Sequence, residues 1–159
     1  MIYVGSYKSV KKGIGLYGKV SIDITLLSSN ENHVVIDSCL WKSIGKNLPN
    51  ANIKPYIPWK KTALEGIKYA LSIIKTKYKY KINLVDIDGH ISHSNSSSIF
   101  AASIITVFTA FNIELNHKDY IKLTDFVFNN NNRKNIFILP SFYFLGLSPN
   151  YIAINENSL

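Results

Sequence analysis

Asp86, Asp88, His90 and His93 place two carboxylates and two imidazoles within eight residues. Those are donors that zinc and other divalent transition metals accept. One ion could use residues 86, 88 and 90 together only if a strand ran straight through them. Asp88-Gly89 is instead a strong two-residue hairpin signal, which would break that face. The plainer reading is a turn with polar surface side chains, so no metal site is assigned. Lys75, Lys77, Lys79 and Lys81 alternate with Thr76, Tyr78 and Tyr80. Basic residues with interleaved aromatics can track a phosphate backbone and stack bases. The plainer reading is a solvated connection between a helix and a strand. Lys60, Lys61 and Lys68 would extend the patch if they shared its face. The serines of Ser94 to Ser98 lack the GxSxG elbow of a hydrolase nucleophile, so no catalytic residue is assigned. His33 and His117 read as scattered surface residues.

Gly13-Ile14-Gly15-Leu16-Tyr17-Gly18 matches GxGxxG. A dinucleotide fold needs that motif between a strand and a helix, whose N-terminus holds the pyrophosphate. Here it precedes a strand. With Val20 it also fits the glycine-rich loop of protein kinases, but no lysine strand, catalytic loop or Asp-Phe-Gly accompanies it. Neither a nucleotide nor any other cofactor is expected, and the segment reads as a flexible entry to the first strand.

The elements that would position these residues follow from periodicity. Gly18 to Leu27 alternates, with Val20, Ile22, Ile24 and Leu26 on one side and Lys19, Ser21, Asp23 and Thr25 on the other, as a half-buried strand requires. Ser28-Ser29-Asn30 is a turn. His33 to Asp37 is a short partner strand, expected antiparallel. Residues 42 to 58 hold Gly45, Pro49, Pro55 and Pro58 and read as a long loop. Pro58 opens a helix. Its apolar stripe is Trp59, Ala63, Leu64, Ile67, Ala70, Leu71 and Ile74, and it ends near Lys75. A strand over Lys81 to Asp88 and a short return strand over His90 to His93 would form the hairpin. Ser94-Asn95-Ser96 offers caps to a helix over Ser97 to Phe111, apolar nearly all round and therefore deep. His117 to Phe128 fits a short helix, and Asn135 to Leu139 and Tyr151 to Asn155 look like late strands.

The chain's 159 residues fit one domain, and 47% hydrophobic content fits an ordinary packed core. We expect a core over 1–112 and a C-terminal extension over 113–159 packed on it. Cys39 is the only cysteine, which excludes an intramolecular disulfide or a zinc–cysteine cluster. It reads as a small apolar residue beside a strand, and a lone thiol suits the reducing cytoplasm. The opening MIYVGSYKSVKK has no charged segment followed by an apolar core, so no signal peptide is expected. The apolar run from Ile99 to Phe111 is too short to span a bilayer, so no membrane partner is expected. The net charge of +8 comes from 17 lysines and one arginine, Arg133. Ile, Lys and Asn together make 57 residues, a bias typical of AT-rich genes. A positive surface attracts polyanions or acidic proteins. Near-absence of arginine, the better bidentate phosphate ligand, counts against nucleic acid.

Three segments carry a resemblance. Leu16-Tyr17-Gly18-Lys19-Val20 is similar to the YGHV-like strand of domain IV in ribosomal translocases of the elongation factor G type. Ile53-Lys54-Pro55-Tyr56-Ile57-Pro58, with Gly66-Ile67 in the following helix, resembles that family's IPxxYIP-like element. Asp88-Gly89-His90-Ile91-Ser92-His93-Ser94-Asn95-Ser96-Ser97, followed by Ala101-Ala102-Ser103, resembles its hairpin and small-residue helix. Order and spacing agree over about 100 residues. The resemblance implies a left-handed β-α-β crossover sheet, as in one ribosomal-protein superfamily, and a non-catalytic arm. The family's strand histidine is Lys19 here, its acidic hairpin residue is Ser94 or Asn95, these 159 residues hold no GTPase domain, and residues from 113 onward have no counterpart.

The expected class is therefore α+β: a sheet of about four or more strands with two main helices on one face. The expected function is non-catalytic protein binding, in its sharpest form an immunity or antitoxin-type inhibitor of a cognate nuclease toxin. Tyrosine and tryptophan anchor interfaces. The expected contact residues are Trp41, Lys54, Tyr56 and Trp59 in the long loop and helix start, with Lys75, Lys77, Tyr78, Lys79, Tyr80 and Lys81 in the connection. The alternative is an RNA- or ribosome-binding module using the lysine and tyrosine patch.

Overall fold

In the computed structural model, residues 1–28, 32–47, 52–74, 76 and 78–131 are described. The expected strands at Asn135 to Leu139 and Tyr151 to Asn155 and most of the turn Ser28-Ser29-Asn30 lie outside those residues, while the helix expected to end near Lys75 ends at Ile73. The described elements are β1 (Ile2–Lys11), β2 (Ile14–Leu26), β3 (Val34–Asp37), α1 (Lys42–Asn47), α2 (Ile57–Ile73), β4 (Tyr80–Asp88), α3 (Ser96–Ala110) and α4 (His117–Asn129). They build the expected α+β architecture, a four-stranded mixed sheet in the order β1-β2-β4-β3 with helices packed on it. No helix among the described residues is long and apolar enough to cross a membrane.

The core follows the alternation of β2. Leu16, Val20, Ile22 and Ile24 are buried, and Ile82, Leu84 and Ile87 of β4 join them on that face. A register shift between Ser21 and Ile22 keeps both strands' apolar residues inward. Pro58 sits in the first turn of α2 as expected, and Trp59, Ala63, Ile67, Ala70 and Leu71 form its buried stripe. Asn95 caps α3: its side chain accepts the Ser98 N–H at 2.7 Å, while Ser98 Oγ accepts the Asn95 N–H at 3.0 Å. The helix lies close to the sheet. A Cβ on Gly18 would sit 2.6 Å from the Ser98 carbonyl oxygen, and one on Gly66 2.8 Å from that of Phe100. That proximity lets Ser98 Oγ donate to the Tyr17 carbonyl at 2.8 Å and Thr106 Oγ1 to that of Val20 at 3.2 Å. The helix expected at His117 to Phe128 is present as α4. It packs on α3 through Ser97 Oγ, which donates to the Val127 carbonyl at 2.9 Å, and through the rings of Phe100 and Phe126.

Four expectations need correction. The glycine-rich segment is no flexible entry, because β1 precedes it and pairs antiparallel with β2 from Ile2↔Asp23 to Lys11↔Ile14. The tight hairpin is Lys12-Gly13, with φ of 51° and 78°, positive at both central residues as a primed turn demands. The short strand β3 pairs parallel with β4, not antiparallel with β2. Two parallel neighbours need a crossover, and α2 supplies it. Asp88-Gly89 turns no hairpin: β4 ends there, His90 to His93 form a turn in place of the return strand, and the chain enters α3. A Cβ on Gly89 would lie 2.7 Å from Ser94 Oγ and 2.9 Å from Trp59 Cζ3, so glycine here makes room for packing. The loop 42–58 also contains α1 and a 3₁₀ turn, Lys54–Tyr56.

Candidate protein-binding surface

The loop after β3 and the start of α2 bring Trp41, Tyr56 and Trp59 together. Asp37 organises the exit from β3. Its Oδ1 accepts the Cys39 N–H at 3.0 Å, and its Oδ2 lies 3.0 Å from Lys60 Nζ. The chain then stays beside β4, with Ser38 N–H donating to the Leu84 carbonyl at 3.0 Å. Cys39 is buried, as expected, and burial pushes its thiol pKa up. Trp41 follows at φ 54°, a left-handed conformation that a bulky residue rarely takes. Its ring lies 6.4 Å from Tyr56, which meets Trp59 edge-on at 4.9 Å. Lys60 Nζ sits 5.7 Å from the centre of the Trp41 ring.

Only part of this ladder can touch a partner. Tyr56 is 4% exposed and Trp59 is 5% exposed. Both are core residues that support the surface, which corrects their assignment as contacts. Trp41 is half-buried and forms the outlet. Leu40 is 68% exposed, and Ile53 and Ile57 are exposed in the facing loop. Lys42, Lys46, Lys54 and Lys61 on the same segments are exposed too, so apolar groups are interspersed with basic ones.

Among the described residues the lysine and tyrosine connection does not form one track. Lys75 and Lys77 lie outside the described residues. Tyr78 is half-buried, and its N–H donates to Thr76 Oγ1 at 3.1 Å. Tyr80 is completely buried, edge-on to Phe111 at 4.9 Å and stacked on His33 at 6.0 Å. It cannot contact a partner. Because β4 begins at Tyr80, its alternation sends Tyr80 inward and Lys81, half-buried, to the opposite face. Lys79 is also half-buried, and its carbonyl accepts the Leu27 N–H at 2.8 Å. His33 is no scattered surface residue, since Nδ1 accepts the Tyr80 N–H at 3.2 Å. Burial, and secondarily Lys79, hold its pKa below the ordinary histidine range.

The two carboxylates are engaged separately, while the two imidazoles lie 5.8 Å apart. Asp86 accepts from both the N–H and the hydroxyl of Ser43, the former at 3.1 Å. Asp88 hydrogen-bonds the Tyr17 hydroxyl; burial first, then this carboxylate's charge, raise the Tyr17 pKa. Ser92 Oγ lies 2.7 Å from His90 Nδ1 and 2.6 Å from His93 Nδ1, all three residues exposed. Among the described residues no group of three or more His, Cys, Asp or Glu side chains could hold a metal ion.

No family model matches this chain, and comparison with curated proteins finds no match. Among solved structures it is similar to a Thermus thermophilus protein, with 17% identity and a TM-score of 0.48 over 66% of this chain and 14% of that one. It is similar to a mevalonate kinase at 19% identity and a TM-score of 0.45, covering 82% of this chain and 46% of the kinase. The Methanococcus jannaschii mevalonate kinase gives 19% and 0.45, covering 86% and 48%. The chain thus spans less than half the length of each, and likeness at this level carries no statement about activity.

Proposed function

We propose that this chain is a non-catalytic protein-binding module of translocase domain IV-like build, acting in the cytoplasm as an immunity or antitoxin-type inhibitor of a nuclease toxin. The observation that supports it is Trp41. A large ring is held in a costly left-handed conformation, half-exposed, on a buried aromatic base and beside a cation. Aromatic anchors surrounded by polar groups are the residues that dominate binding energy. The exposed lysines Lys42, Lys46, Lys54 and Lys61 fit a partner face rich in carboxylates. Metal-dependent nucleases present such carboxylates where they hold their cations.

The second reading, an RNA- or ribosome-binding module, draws on the net charge of +8. It is supported by fewer aromatics than the sequence implied, because Tyr80 is buried.

The test is a pull-down from the native host at about 50 and 500 mM salt, with the parent chain and Trp41→Ala. The expected result is a stoichiometric protein retained at high salt and lost with the variant, whose nuclease activity the parent chain inhibits. Recovery of RNA or ribosomes at low salt alone would reject the inhibitor reading.

A further inference from the structure

The outer edge of β1 lies at the opposite end of the sheet from β3 and Trp41. In an antiparallel pair, alternate residues direct both backbone groups toward the partner strand and the others away. The Met1 carbonyl accepts the Ile24 N–H at 3.2 Å, so odd-numbered residues of β1 face β2. The Lys8 carbonyl instead accepts the Tyr120 hydroxyl of α4 at 2.7 Å, so even-numbered residues face outward. Lys11 Nζ meets Asp125 of α4 at 2.7 Å. Helix α4 therefore flanks this edge from Lys8 to Lys11. The outward N–H and C=O groups of Val4 and Ser6 have no partner among the described residues.

Beside them opens a cleft of about 490 Å³, lined by Ser6, Ile105, Phe108, Thr109, Leu115 and Tyr120 among others. It lies between β1, the end of α3 and the start of α4. A strand added to β1 would take its main-chain bonds from Val4 and Ser6 and set alternate side chains into this cleft. The charges select its chemistry. Exposed Lys8, Lys12 and Lys118 have no acid partner among the described residues. Glu114 also lines the cleft and disfavours an acid there. We infer that the β1 edge receives an extended segment of a partner protein, apolar where it crosses the cleft and acidic at the end that reaches Lys8 and Lys12, by strand addition.

The test uses the full chain, amide hydrogen exchange at Val4 and Ser6, and a synthetic peptide of about six residues alternating valine and threonine with glutamates at the end that reaches Lys8. In the free chain both amides should exchange rapidly. Peptide should slow them at least roughly tenfold, and a lysine-ended peptide should bind roughly tenfold more weakly. Val4→Pro removes only an outward donor, which an edge strand tolerates. Thr109→Trp fills the cleft. Each should weaken peptide binding roughly tenfold or more. Unchanged affinity in both variants, or no slowing at millimolar peptide, overturns the inference. So does slow exchange in the free chain: if independent of concentration, the chain's own residues 132–159 are the occupant, and if concentration-dependent, a second copy is.

Discussion

Replacing Trp41 by glycine separates an anchor held for a partner from an ordinary core residue. The ring contributes its tilted contact with Tyr56 at 6.4 Å, about 0.5–1.5 kcal/mol. It also contributes the cation contact with Lys60 at 5.7 Å, about 0.5–1 kcal/mol at a partly exposed site. Against that loss stands the backbone. At φ 54° a residue with a Cβ costs about 1–2 kcal/mol that glycine does not. Glycine in turn loses about 0.4–1 kcal/mol through the freer unfolded chain. The half-buried surface of the ring adds about 1–2 kcal/mol, so the net destabilisation is about 2–3 kcal/mol. Trp41→Ala keeps the backbone strain while losing the same contacts, so the glycine variant should be the more stable of the two. Urea unfolding followed by far-ultraviolet circular dichroism measures both, since a tryptophan signal is lost in the variants. Binding of the partner should fall at least roughly tenfold in each, as for a hot-spot residue. A stability loss of about 5 kcal/mol in Trp41→Gly would refute the reasoning, because that is the upper end of the cost of removing a well-packed core aromatic.

Three further outcomes follow from single positions. Gly18→Ala would place a methyl 2.6 Å from the Ser98 carbonyl oxygen and push α3 off β2; a destabilisation of about 1–3 kcal/mol in urea is expected, and less than about 0.5 kcal/mol would mean the helix does not lie that close. Lys12→Asn suits the left-handed first position of the hairpin turn and should stabilise by about 0.5–1 kcal/mol, whereas a loss would show the turn to be of another type. Because the folded pKa of His33 lies below its unfolded value of about 6.5, the unfolded chain binds the extra proton, and stability should fall as pH drops through that value before levelling off below the folded pKa. His33→Gln should remove that step, and an unchanged step in the variant would assign it elsewhere.

The elements legible in the sequence are those whose inward residues are apolar. The alternation of β2, the stripe of α2 and the apolar α3 are of this kind, and Asn95 announces its helix through capping chemistry. Strand β1 escaped because its core-facing positions include Gly5 and Ser9, while Ile2, Val4 and Val10 are exposed. Its only strong signal was Lys12-Gly13 between two alternating runs, and there Lys12 stands where asparagine or aspartate would have been diagnostic. The run Val34–Asp37 holds no information on strand direction, because parallel and antiparallel partners bury the same side chains. Direction was decided by α2, which carries the chain back across the sheet.

The clustering of the aromatics was legible in the sequence, and which of them turn inward was not. Trp41, Tyr56 and Trp59 do cluster, yet an aromatic ring suits a core and an interface equally well, so composition alone cannot divide them. What divides them here is neighbouring backbone: Tyr56 and Trp59 sit at the start of a helix whose stripe turns inward, while Trp41 lies on an irregular segment with no period to bury it. The lysine and tyrosine stretch carried a usable signal. Tyr80, Ile82 and Leu84 form one period-two run, and extending the strand back by one residue commits Tyr80 to the core. Gly89 shows the converse limit. Asp-Gly specifies a tight turn only where two strands must meet, and here the same glycine instead lets Trp59 and Ser94 approach the chain. Its use was set by partners 30 residues upstream and 5 downstream, contacts that exist only once α2 and α3 are packed on the sheet.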